Sequence, residues 1–474
     1  MTVERSLPNG AAVGLRWERV LAYGETRATF SWVGRPKNSG ECAEILEFAR
    51  REGLTVCPRG SGFTYGDMIL NDGHVIVDMG GMDRILEWDP DRGRIVVEPG
   101  VTLGRLLQKV LPDGWAPSAC VGGLGLTMGG ALSNNVHGKD AWRVGNFGRQ
   151  VVSARLMSGD GSLRRVDSAG DPELWNALPG SMGLLGIVTE MTLELRRIPS
   201  VYVESRAKPV GSLEEMLDSM ERLREEADFV VSWADAFARG PALGRGSVEW
   251  ARWIEAEKRP DPETLRRSLE DSEKIYGLVP AEPCWALLRP FSGSRMVRWG
   301  NRVRYHALRA AGPSRAALLF SDFNFIHKRI PNLKHIYRPE GLLEPQPLMP
   351  RDRARETIAW IFRLCQREGM ESLLCGIKMH RGDDHPLSYA GDGFSFGIDI
   401  AMRGRDRGEV DAFSRRLYEF VAEAGGKTFL AKDEILPRDL FGAMYPGHAG
   451  FLAVKRRADP EGIFSSDMYR RLLA

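Results

Sequence analysis

Hydrophobic positions recur at two spacings in roughly the first 200 residues, and this mixture predicts both helices and strands. Between residues 41 and 53 they lie three or four positions apart, as on one face of a helix, and Gly53 stands where a C-terminal cap belongs. A second helical face runs from Leu103 to Val110, with Thr102 in the N-cap position. Between these two helices, the β-branched segments T-V-C-P, H-V-I-V-D-M and R-I-V-V-E-P-G predict short strands.

The pattern continues in the same manner to about residue 200 and then changes. V-V-S-A-R-L-M and S-L-R-R-V-D flank the turn signal S-G-D-G, which predicts a hairpin, and residues 186–198 alternate like a long strand. From residue 201 to 426, charged helical stretches at 212–227, 262–274 and 351–368 separate the strand-like segments F-V-V-S-W, L-L-F-S-D-F-N-F and F-S-F-G-I-D-I. The sequence therefore predicts an α+β chain in which residues 1–200 and 201–426 form separate domains.

Composition narrows the class of partner. Lys and Arg number 65 against 63 Asp and Glu, so the formal net charge is only +2. A charge this small gives no electrostatic reason to expect nucleic acid as the main partner. The six cysteines form no C-x-x-C pair, so neither a disulfide framework nor a zinc site is indicated. A chain of 474 residues is long enough for two or three cores.

The beginning of the sequence, M-T-V-E-R-S-L-P-N-G, has no charged region followed by an apolar run, and we expect no signal peptide. No uninterrupted apolar segment approaches about eighteen residues, the length that would predict a transmembrane helix. We therefore expect a cytoplasmic protein, or one that is peripherally associated with a membrane.

Two glycine clusters are the first indication of a binding site. They read R-G-S-G-F-T-Y-G-D at residues 59–67 and V-G-G-L-G-L-T-M-G-G at residues 121–130. Neither has the G-x-G-x-x-G spacing of a Rossmann turn between a strand and a helix, so NAD on a Rossmann domain is disfavoured. Consecutive glycines let backbone N–H groups converge on an anion, and a pyrophosphate cradle is one reading. The other reading, tight turns packed against backbone, stays open for either loop alone.

Taken in order, a longer set of motifs resembles a known family. The motifs are R-G-x-G-x-x-Y-G-D, V-I-V-D-M, V-x-P-G-V, G-L-T-M-G-G, N-V-H-G-K, N-F-G and G-S-M-G-L-L-G-I-V-T. Together they resemble the FAD-binding domain, of the PCMH type, of the vanillyl-alcohol oxidase superfamily. The resemblance implies a two-subdomain FAD-binding domain with a separate α+β substrate (cap) domain. L-A-K-D and the tail V-K-R-R-A-D-P-E-G-I-F-S-S-D-M extend it, and imply that residues 427–474 return to the FAD-binding domain.

The resemblance also implies which residues hold the cofactor. Many members attach FAD covalently through a histidine in the first glycine loop, where this chain has Phe63, so noncovalent FAD is expected. The residues expected to bind FAD are Arg59, Gly60, Ser61, Gly62, Phe63, Thr64, Gly122, Gly123, Leu126, Thr127, Gly129, Gly130, Asn134, His137, Gly138, Asn146, Gly183, Gly186, Ile187 and Val188.

Three residues are expected, by the same resemblance, to take part in catalysis. Lys432 would face flavin and substrate and stabilise negative charge, although the sequence also allows a surface lysine paired with Asp433. His137 would take part in proton transfer or hold a substrate phosphate, or be a structural histidine. Tyr65 would close the substrate pocket, or pack under its loop. The expected substrate-pocket residues are Lys139, Gln346, Lys378, Ser395 and Gly397, the last standing where related oxidases of polyprenylphosphoryl ribose have a cysteine.

The implied activity is oxidation of a secondary hydroxyl of a sugar, the 2-hydroxyl of a polyprenylphosphoryl ribose, with the keto product passing to a separate NAD(P)H-dependent reductase. Two alternatives remain open: an oxidase of a free polyol, aldonolactone or other small alcohol, and a flavin-binding protein without catalysis. Residues 325–350 mix cations with Ile, Leu and Tyr, which suits a flap over a phosphorylated or lipid-linked substrate at a membrane surface. A solvated loop whose apolar residues pack inward explains the same composition.

Overall fold

The strands of the first 200 residues form two sheets and a small ribbon. The computed structural model describes residues 13–256, 260–291 and 294–474. In chain order these strands are β1 (Arg16–Leu21), β2 (Ala28–Gly34), β3 (Val56–Arg59), β4 (Val75–Asp78), β5 (Ile85–Asp89), β6 (Arg94–Val97), β7 (Trp115–Ala116), β8 (Val151–Met157), β9 (Leu163–Val166), β10 (Ile187–Glu194) and β11 (Arg196–Arg197).

The first sheet has the order β1-β2-β4-β3, in which β2, β4 and β3 run parallel. The second is antiparallel, with the order β5-β6-β10-β8-β9. The long strand expected over residues 186–198 is interrupted at Leu195, after which β11 pairs with β7 instead. The S-G-D-G turn does join the predicted hairpin, since Met157 of β8 pairs with Leu163 of β9.

Short helices connect these strands, and polar side chains cap them. They are α1 (Ser39–Arg51), α2 (Leu103–Val110), α3 (Met128–Ser133), α4 (Ala141–Val144) and α5 (Pro172–Ala177). Asn38 caps α1 by accepting from the Glu41 N–H, and Thr102 caps α2 by accepting from the Arg105 N–H. The apolar face of α1, which includes Ile45 and Phe48, packs on the first sheet. These two helices confirm the periodicity argument.

An eight-stranded sheet dominates the middle of the chain. Its order is β17-β12-β14-β13-β20-β21-β19-β23, and two small ribbons flank it. The strands of this part are β12 (Tyr202–Val210), β13 (Phe229–Ala234), β14 (Gly246–Trp253), β15 (Lys274–Ile275), β16 (Val279–Pro280), β17 (Ser314–Leu319), β18 (Leu342–Leu343), β19 (Pro347–Pro350), β20 (Cys375–His380), β21 (Gly393–Phe396), β22 (Ile400–Ala401) and β23 (Lys427–Thr428). The last strand of this sheet, β23, lies just after residue 426.

The helices of the middle and C-terminal parts depart from expectation in several places. They are α6 (Leu213–Arg222), α7 (Pro262–Ser268), α8 (Ala281–Leu288), α9 (Ser294–Ala311), α10 (Phe320–Asn324), α11 (Ala354–Glu368), α12 (Arg407–Glu423), α13 (Arg438–Met444), α14 (His448–Ala458) and α15 (Asp467–Leu472). The helix expected over 262–274 ends at Ser268, and α9 was not predicted. The strand expected from L-L-F-S-D-F-N-F is wrong after Leu319, because Phe320 and Phe323 are buried at helical spacing in α10.

The C-terminal segment lies against the first sheet. The Val56 N–H donates to the Ile463 carbonyl (2.7 Å), and the Ser465 N–H donates back to the Val56 carbonyl (3.0 Å). The buried Lys455 ammonium donates to the carbonyls of Leu184 (3.0 Å) and Phe464 (2.8 Å). The tail therefore extends the parallel edge of the sheet next to β3.

One arginine ties the tail to two aspartates from distant parts of the chain. Arg471 of α15 makes a two-pronged contact with Asp67 (Nε to Oδ2 2.7 Å, Nη2 to Oδ1 2.9 Å), and its Nη2 also lies 3.2 Å from Asp433 Oδ2. Both carboxylates are buried. We call these three residues the arginine clamp. It joins the end of the first glycine loop to the L-A-K-D motif.

No helix in the described ranges is both long and apolar enough to cross a membrane. All six cysteines are free thiols, and Cys284 alone among them is not buried.

Arg471→Met tests the arginine clamp. Removing the guanidinium leaves two buried carboxylates without their cation, and we expect the free energy of unfolding to fall by about 3–5 kcal/mol. Thermal unfolding of the purified protein measures this loss. Arg471→Lys keeps the charge but not the planar fork, so we expect an intermediate loss. The matched control Arg50→Met removes a surface ion pair with Glu461, and we expect it to change the free energy of unfolding by less than about 1 kcal/mol. Equal unfolding midpoints for Arg471→Met and Arg50→Met would contradict this role.

Candidate functional site

A cavity of about 390 Å³ lies where the glycine loops meet the eight-stranded sheet. Most of the expected site residues line it, and they come from both sides of the boundary near residue 200. Those lining the cavity are Arg59, Gly60, Ser61, Gly62, Phe63, Thr64, Tyr65, Gly122, Gly123, Leu126, Thr127, Gly129, Gly130, Asn134, His137, Gly183, Gly186, Ile187, Val188, Gln346, Lys378 and Lys432.

The first glycine loop begins where β3 ends, and its shape needs glycine at two positions. Gly62 has φ +78°, and a Cβ there would lie 2.2 Å from Arg59 Nη2. A Cβ on Gly60 would lie 2.2 Å from Thr127 Oγ1 in the second loop. Among the described residues, no acceptor bonds the N–H groups of Ser61, Gly62 or Phe63. The two loops therefore touch, and the first presents free backbone donors.

The second loop leads into α3, and its glycines serve different purposes. Thr127 caps α3, and a Cβ on Gly129 would lie 2.7 Å from the Pro99 Cβ, so Gly129 permits close packing. A Cβ on Gly122 or Gly123 would meet no atom closer than 3.8 Å, so these two residues border open space. The cavity wall at Gly122 and Gly123 is bare backbone.

Unsatisfied polar atoms support a bound polar group in this part of the cavity. Arg59 Nε, Asn134 Oδ1 and His137 Nδ1 are buried at the lining without a hydrogen-bond partner among the described residues. Buried polar atoms usually have partners, because leaving one unpaired costs about 1–3 kcal/mol. Free loop donors beside an arginine suit a pyrophosphate, and apolar residues such as Ile187 and Val188 suit a ring. The residues present fit FAD.

The first loop is also held directly against the L-A-K-D motif. The Tyr65 N–H donates to the Ala431 carbonyl (2.9 Å). A Cβ on Gly66 would lie 2.1 Å from the Asp433 carbonyl oxygen, so only glycine permits this approach. Lys432 Nζ then lies 5.2 Å from the centre of the Tyr65 ring. Two expected catalytic residues are thus brought together by packing of their neighbours.

Four ionisable side chains lie close together in the cavity wall. Lys432 Nζ pairs with the Glu344 carboxylate, and Lys378 and Asp399 line the same cavity. Burial lowers the pKa of Lys378 to about 7, and the nearby Lys432 charge adds to that shift. Burial raises the pKa of Asp399 well above its usual range, and the charge of Glu344 raises it further. We call these four residues the charged cluster.

Lys432 does not pair with its neighbour in sequence. The alternative of a surface pair between Lys432 and Asp433 is wrong, because Asp433 is buried with Arg471 and with the Tyr418 hydroxyl, which donates to Asp433 Oδ1 (2.7 Å). Lys432 instead forms its ion pair with Glu344, which also lines the cavity.

His137 is buried among aromatic and amide groups. Its Nε2 lies 3.0 Å from Gln346 Nε2, and its ring lies 4.6 Å from the His380 ring. Burial lowers the pKa of His137 well below its usual range, and the neighbouring His380, Lys378 and Lys432 add to the effect. Its imidazole is therefore neutral near pH 7 and accepts from the Gln346 amide.

Five expected site residues lie outside the lining. Lys139 Nζ donates to the Phe323 carbonyl (2.6 Å), and burial lowers its pKa to about 8, so it contacts α10 and is not part of the cavity lining. Gly138 fits against the Cys120 carbonyl, and the Asn146 amide donates to the Asn135 carbonyl (2.8 Å).

Ser395 and Gly397 stand one layer behind the cavity wall. The Ser395 hydroxyl lies 2.7 Å from His380 Nε2 and accepts from Nε2 of Gln346 (3.4 Å), which lines the cavity. A Cβ on Gly397 would lie 2.8 Å from Glu344 Oε1, so the missing side chain leaves room for that carboxylate. Both residues shape the cavity through a neighbour that lines it.

Sequence reasoning missed Glu344 and Asp399. Glu344 lies two residues before Gln346 in E-P-Q-P, and Asp399 lies two residues after Gly397, so each stood beside a residue that was singled out. Nothing in the sequence signals that the two carboxyl groups share one cavity with Lys378 and Lys432. The signal that could have found them is their position, because each carboxylate lies two residues from an expected pocket residue.

The cations of residues 325–350 are engaged within the protein. Lys334 lies 3.3 Å from Glu25 and Arg338 pairs with the same carboxylate (2.7 Å), while Lys328 pairs with Asp322 (2.6 Å). Apolar residues of this segment line the cavity: Ile326, Ile330, Leu333, Tyr337 and Leu342. The segment is therefore a wall of the cavity, and these three cations face carboxylates of the protein.

Comparison with known proteins agrees with this geometry. Residues 31–167 match the FAD binding domain family. The decaprenylphosphoryl-beta-D-ribose oxidase of Mycolicibacterium smegmatis is 28% identical over 465 residues, which cover 96% of this chain and 97% of that protein. The L-gulono-1,4-lactone dehydrogenase of Mycobacterium tuberculosis is 24% identical, covering 95% of this chain and 97% of its own length. The L-gulonolactone oxidase of Mus musculus is 24% identical, with 91% and 92% covered.

The matched domain contains the first and second glycine loops, whose free donors border the cavity. Residues 31–167 thus match an FAD binding domain, within a chain that is similar over more than nine tenths of its length to a sugar oxidase and to lactone oxidases and dehydrogenases.

Proposed function

We propose that this protein oxidises a secondary hydroxyl of a sugar with FAD, and that its substrate is the 2-hydroxyl of a polyprenylphosphoryl ribose. The observation that carries the proposal is that the charged cluster and both glycine loops line one cavity, with Lys432 Nζ 5.2 Å from the centre of the Tyr65 ring. Likeness to a decaprenylphosphoryl-beta-D-ribose oxidase over 96% of the chain supports the choice of substrate.

The FAD would be bound noncovalently across two subdomains, one on each of the N-terminal sheets. Phe63 stands where covalent attachment needs a histidine, and its ring stacks on Tyr23, with 5.3 Å between ring centres. Arg59 and the N–H groups of Ser61 and Gly62 would hold the pyrophosphate, and Asn134 would supply an unpaired amide oxygen. When bound, FAD supplies the acceptor for the hydride that leaves the alcohol carbon.

The middle domain would supply the base. The Lys378 amine is half neutral near pH 7, because burial lowers its pKa to about 7, and a neutral amine can accept the hydroxyl proton. Lys432, held by Glu344, would place a positive charge where the alcohol oxygen gains negative charge. The hydroxyl proton would thus move to Lys378 Nζ while Lys432 stabilises the oxygen.

The product would be a keto sugar still attached to its lipid phosphate. Its onward reduction would need a separate NAD(P)H-dependent reductase, since this cavity offers one cofactor site. A free aldonolactone or polyol is the second candidate substrate. It is favoured by the likeness to L-gulono-1,4-lactone dehydrogenase over 95% of this chain.

The visible spectrum under anaerobic conditions tests the function. We expect purified yellow protein to be bleached by a short-chain polyprenylphosphoryl ribose, because oxidation of the alcohol without oxygen leaves the flavin reduced. Bleaching only by free lactones or polyols would replace the proposed substrate by the second candidate. Bleaching by neither would exclude both activities.

Lys432→Met tests the role of the cluster. We expect the rate constant of bleaching to fall by about 10²-fold, as when one stabilising donor is removed from a developing oxyanion, while bound FAD is retained. Stopped-flow absorbance measures the rate. Lys109→Met, at an exposed position of α2, is the matched control and leaves the rate unchanged. A Lys432→Met protein that bleaches at the normal rate would contradict the assignment.

The pH dependence tests the base. Because the folded-state pKa of Lys378 is lowered to about 7, its neutral form grows as pH rises through 7, and we expect the bleaching rate to rise with it and then level off. Lys378→Arg keeps a permanent positive charge and cannot accept the proton. We therefore expect its bleaching rate to be low and to show no rise as pH passes through 7. A Lys378→Arg protein that retains the same pH step would assign the titration to another group.

A further inference from the structure

An amphipathic helix of the middle domain turns an apolar stripe outward. In α9, Asn301 and Tyr305 are buried against the protein. On the opposite side Met296, Trp299 and Val303 follow the i, i+3, i+7 spacing of one helix face, and they are 49%, 63% and 47% exposed. We call these three residues the α9 stripe. Large apolar side chains grouped on an outer face, and Trp above all, mark an interaction surface.

Positive charge surrounds this stripe. Between residues 283 and 312 the sequence has six arginines and no Asp or Glu. Arg295 and Arg302 lie along one flank of the stripe, and no carboxylate of the described residues pairs with either. Arg298 pairs with Glu371 and Arg304 lies over the Trp233 ring (4.0 Å), so these two hold the helix to the domain. The outward charge is therefore positive.

The chain just before α9 exposes further apolar residues and connects to the cavity wall. Leu278 is 79% exposed in the β15–β16 turn, and Leu287 is 71% exposed on α8. The inner face of α8 is anchored by Trp285, whose Nε1 donates to the Pro331 carbonyl (2.7 Å). Residues 330 and 333 nearby line the cavity. An object bound to this outer surface would lie on the outside of the segment that forms this wall of the cavity.

We propose that α9 docks on the surface of an anionic lipid bilayer, with the α9 stripe inserted at the level of the headgroups and Arg295 and Arg302 on lipid phosphates. An Arg-flanked helix with Trp on its apolar face lies in the plane of such an interface. This inference rests on the proposed function, because a lipid-linked sugar reaches the enzyme from a membrane. The charge favours lipid phosphates over a second copy of the chain, which would place like charges against one another.

Vesicle sedimentation of the full-length, FAD-loaded protein tests the docking surface. We expect at least tenfold tighter binding to vesicles of mixed phosphatidylglycerol and phosphatidylcholine than to phosphatidylcholine alone, weakened by salt because part of the attraction is electrostatic. Met296→Ser combined with Trp299→Ser should weaken binding at least tenfold. Arg295→Glu combined with Arg302→Glu should remove the preference for anionic vesicles.

Matched controls lie on the FAD-binding part of the chain. Leu163→Ser replaces an exposed apolar residue and Arg92→Glu an exposed arginine. Both variants should bind vesicles as the unaltered protein does. All variants should stay yellow and be bleached by the short-chain substrate, since none touches the cavity. Normal bleaching with no vesicle binding would overturn the docking surface and leave the proposed function standing. Normal vesicle binding without bleaching would overturn the proposed function and leave the docking surface standing.

Two other results would also overturn the proposal. Equal binding to both kinds of vesicle would exclude recognition of anionic lipid. If the Met296→Ser, Trp299→Ser variant changes the sedimentation coefficient from dimer to monomer but binds vesicles normally, the stripe is a contact between two copies of the chain.

Discussion

The site depends on the arginine clamp, because that contact holds together segments that the sequence places far apart. Arg471 brings Asp67, at the end of the first glycine loop, next to Asp433, which follows Lys432. With both aspartates fixed, the Tyr65 N–H reaches the Ala431 carbonyl, and Lys432 is directed over the Tyr65 ring. The position of the lysine in the cavity is thus a consequence of a buried ion pair behind it.

On the other side of the cavity, the middle domain contributes charge and a lowered pKa. Its sheet places Lys378 on β20, while Glu344 and Asp399 lie on loops beside that sheet. Gly397 lacks the side chain that would collide with the Glu344 carboxylate, and Glu344 in turn fixes Lys432. Backbone donors of the glycine loops and the paired charges of the cluster thus line one cavity, although they come from distant parts of the chain.

The sequence predicted the local features of this arrangement better than the distant ones. Glycine loops, the Thr102 cap and the S-G-D-G hairpin depend on residues within a few positions of one another, so periodicity and spacing were sufficient. The strand expected around Phe320 was wrong, because an aromatic-rich segment fits a strand or a buried helix equally well and only packing decides. Glu344 and Asp399 could not be predicted as a pair, since 55 residues separate them and only the folded sheet brings them together.

The arginine clamp also sets an order of events during synthesis. Asp67 precedes its partner Arg471 by 404 residues. While the ribosome makes the intervening domain, the first glycine loop has neither its cation nor the L-A-K-D segment that packs on it. The nascent FAD-binding domain therefore carries an unpaired carboxylate at its loop until the tail emerges. Assembly of this part of the cavity wall therefore waits for the last residues of the clamp to leave the ribosome.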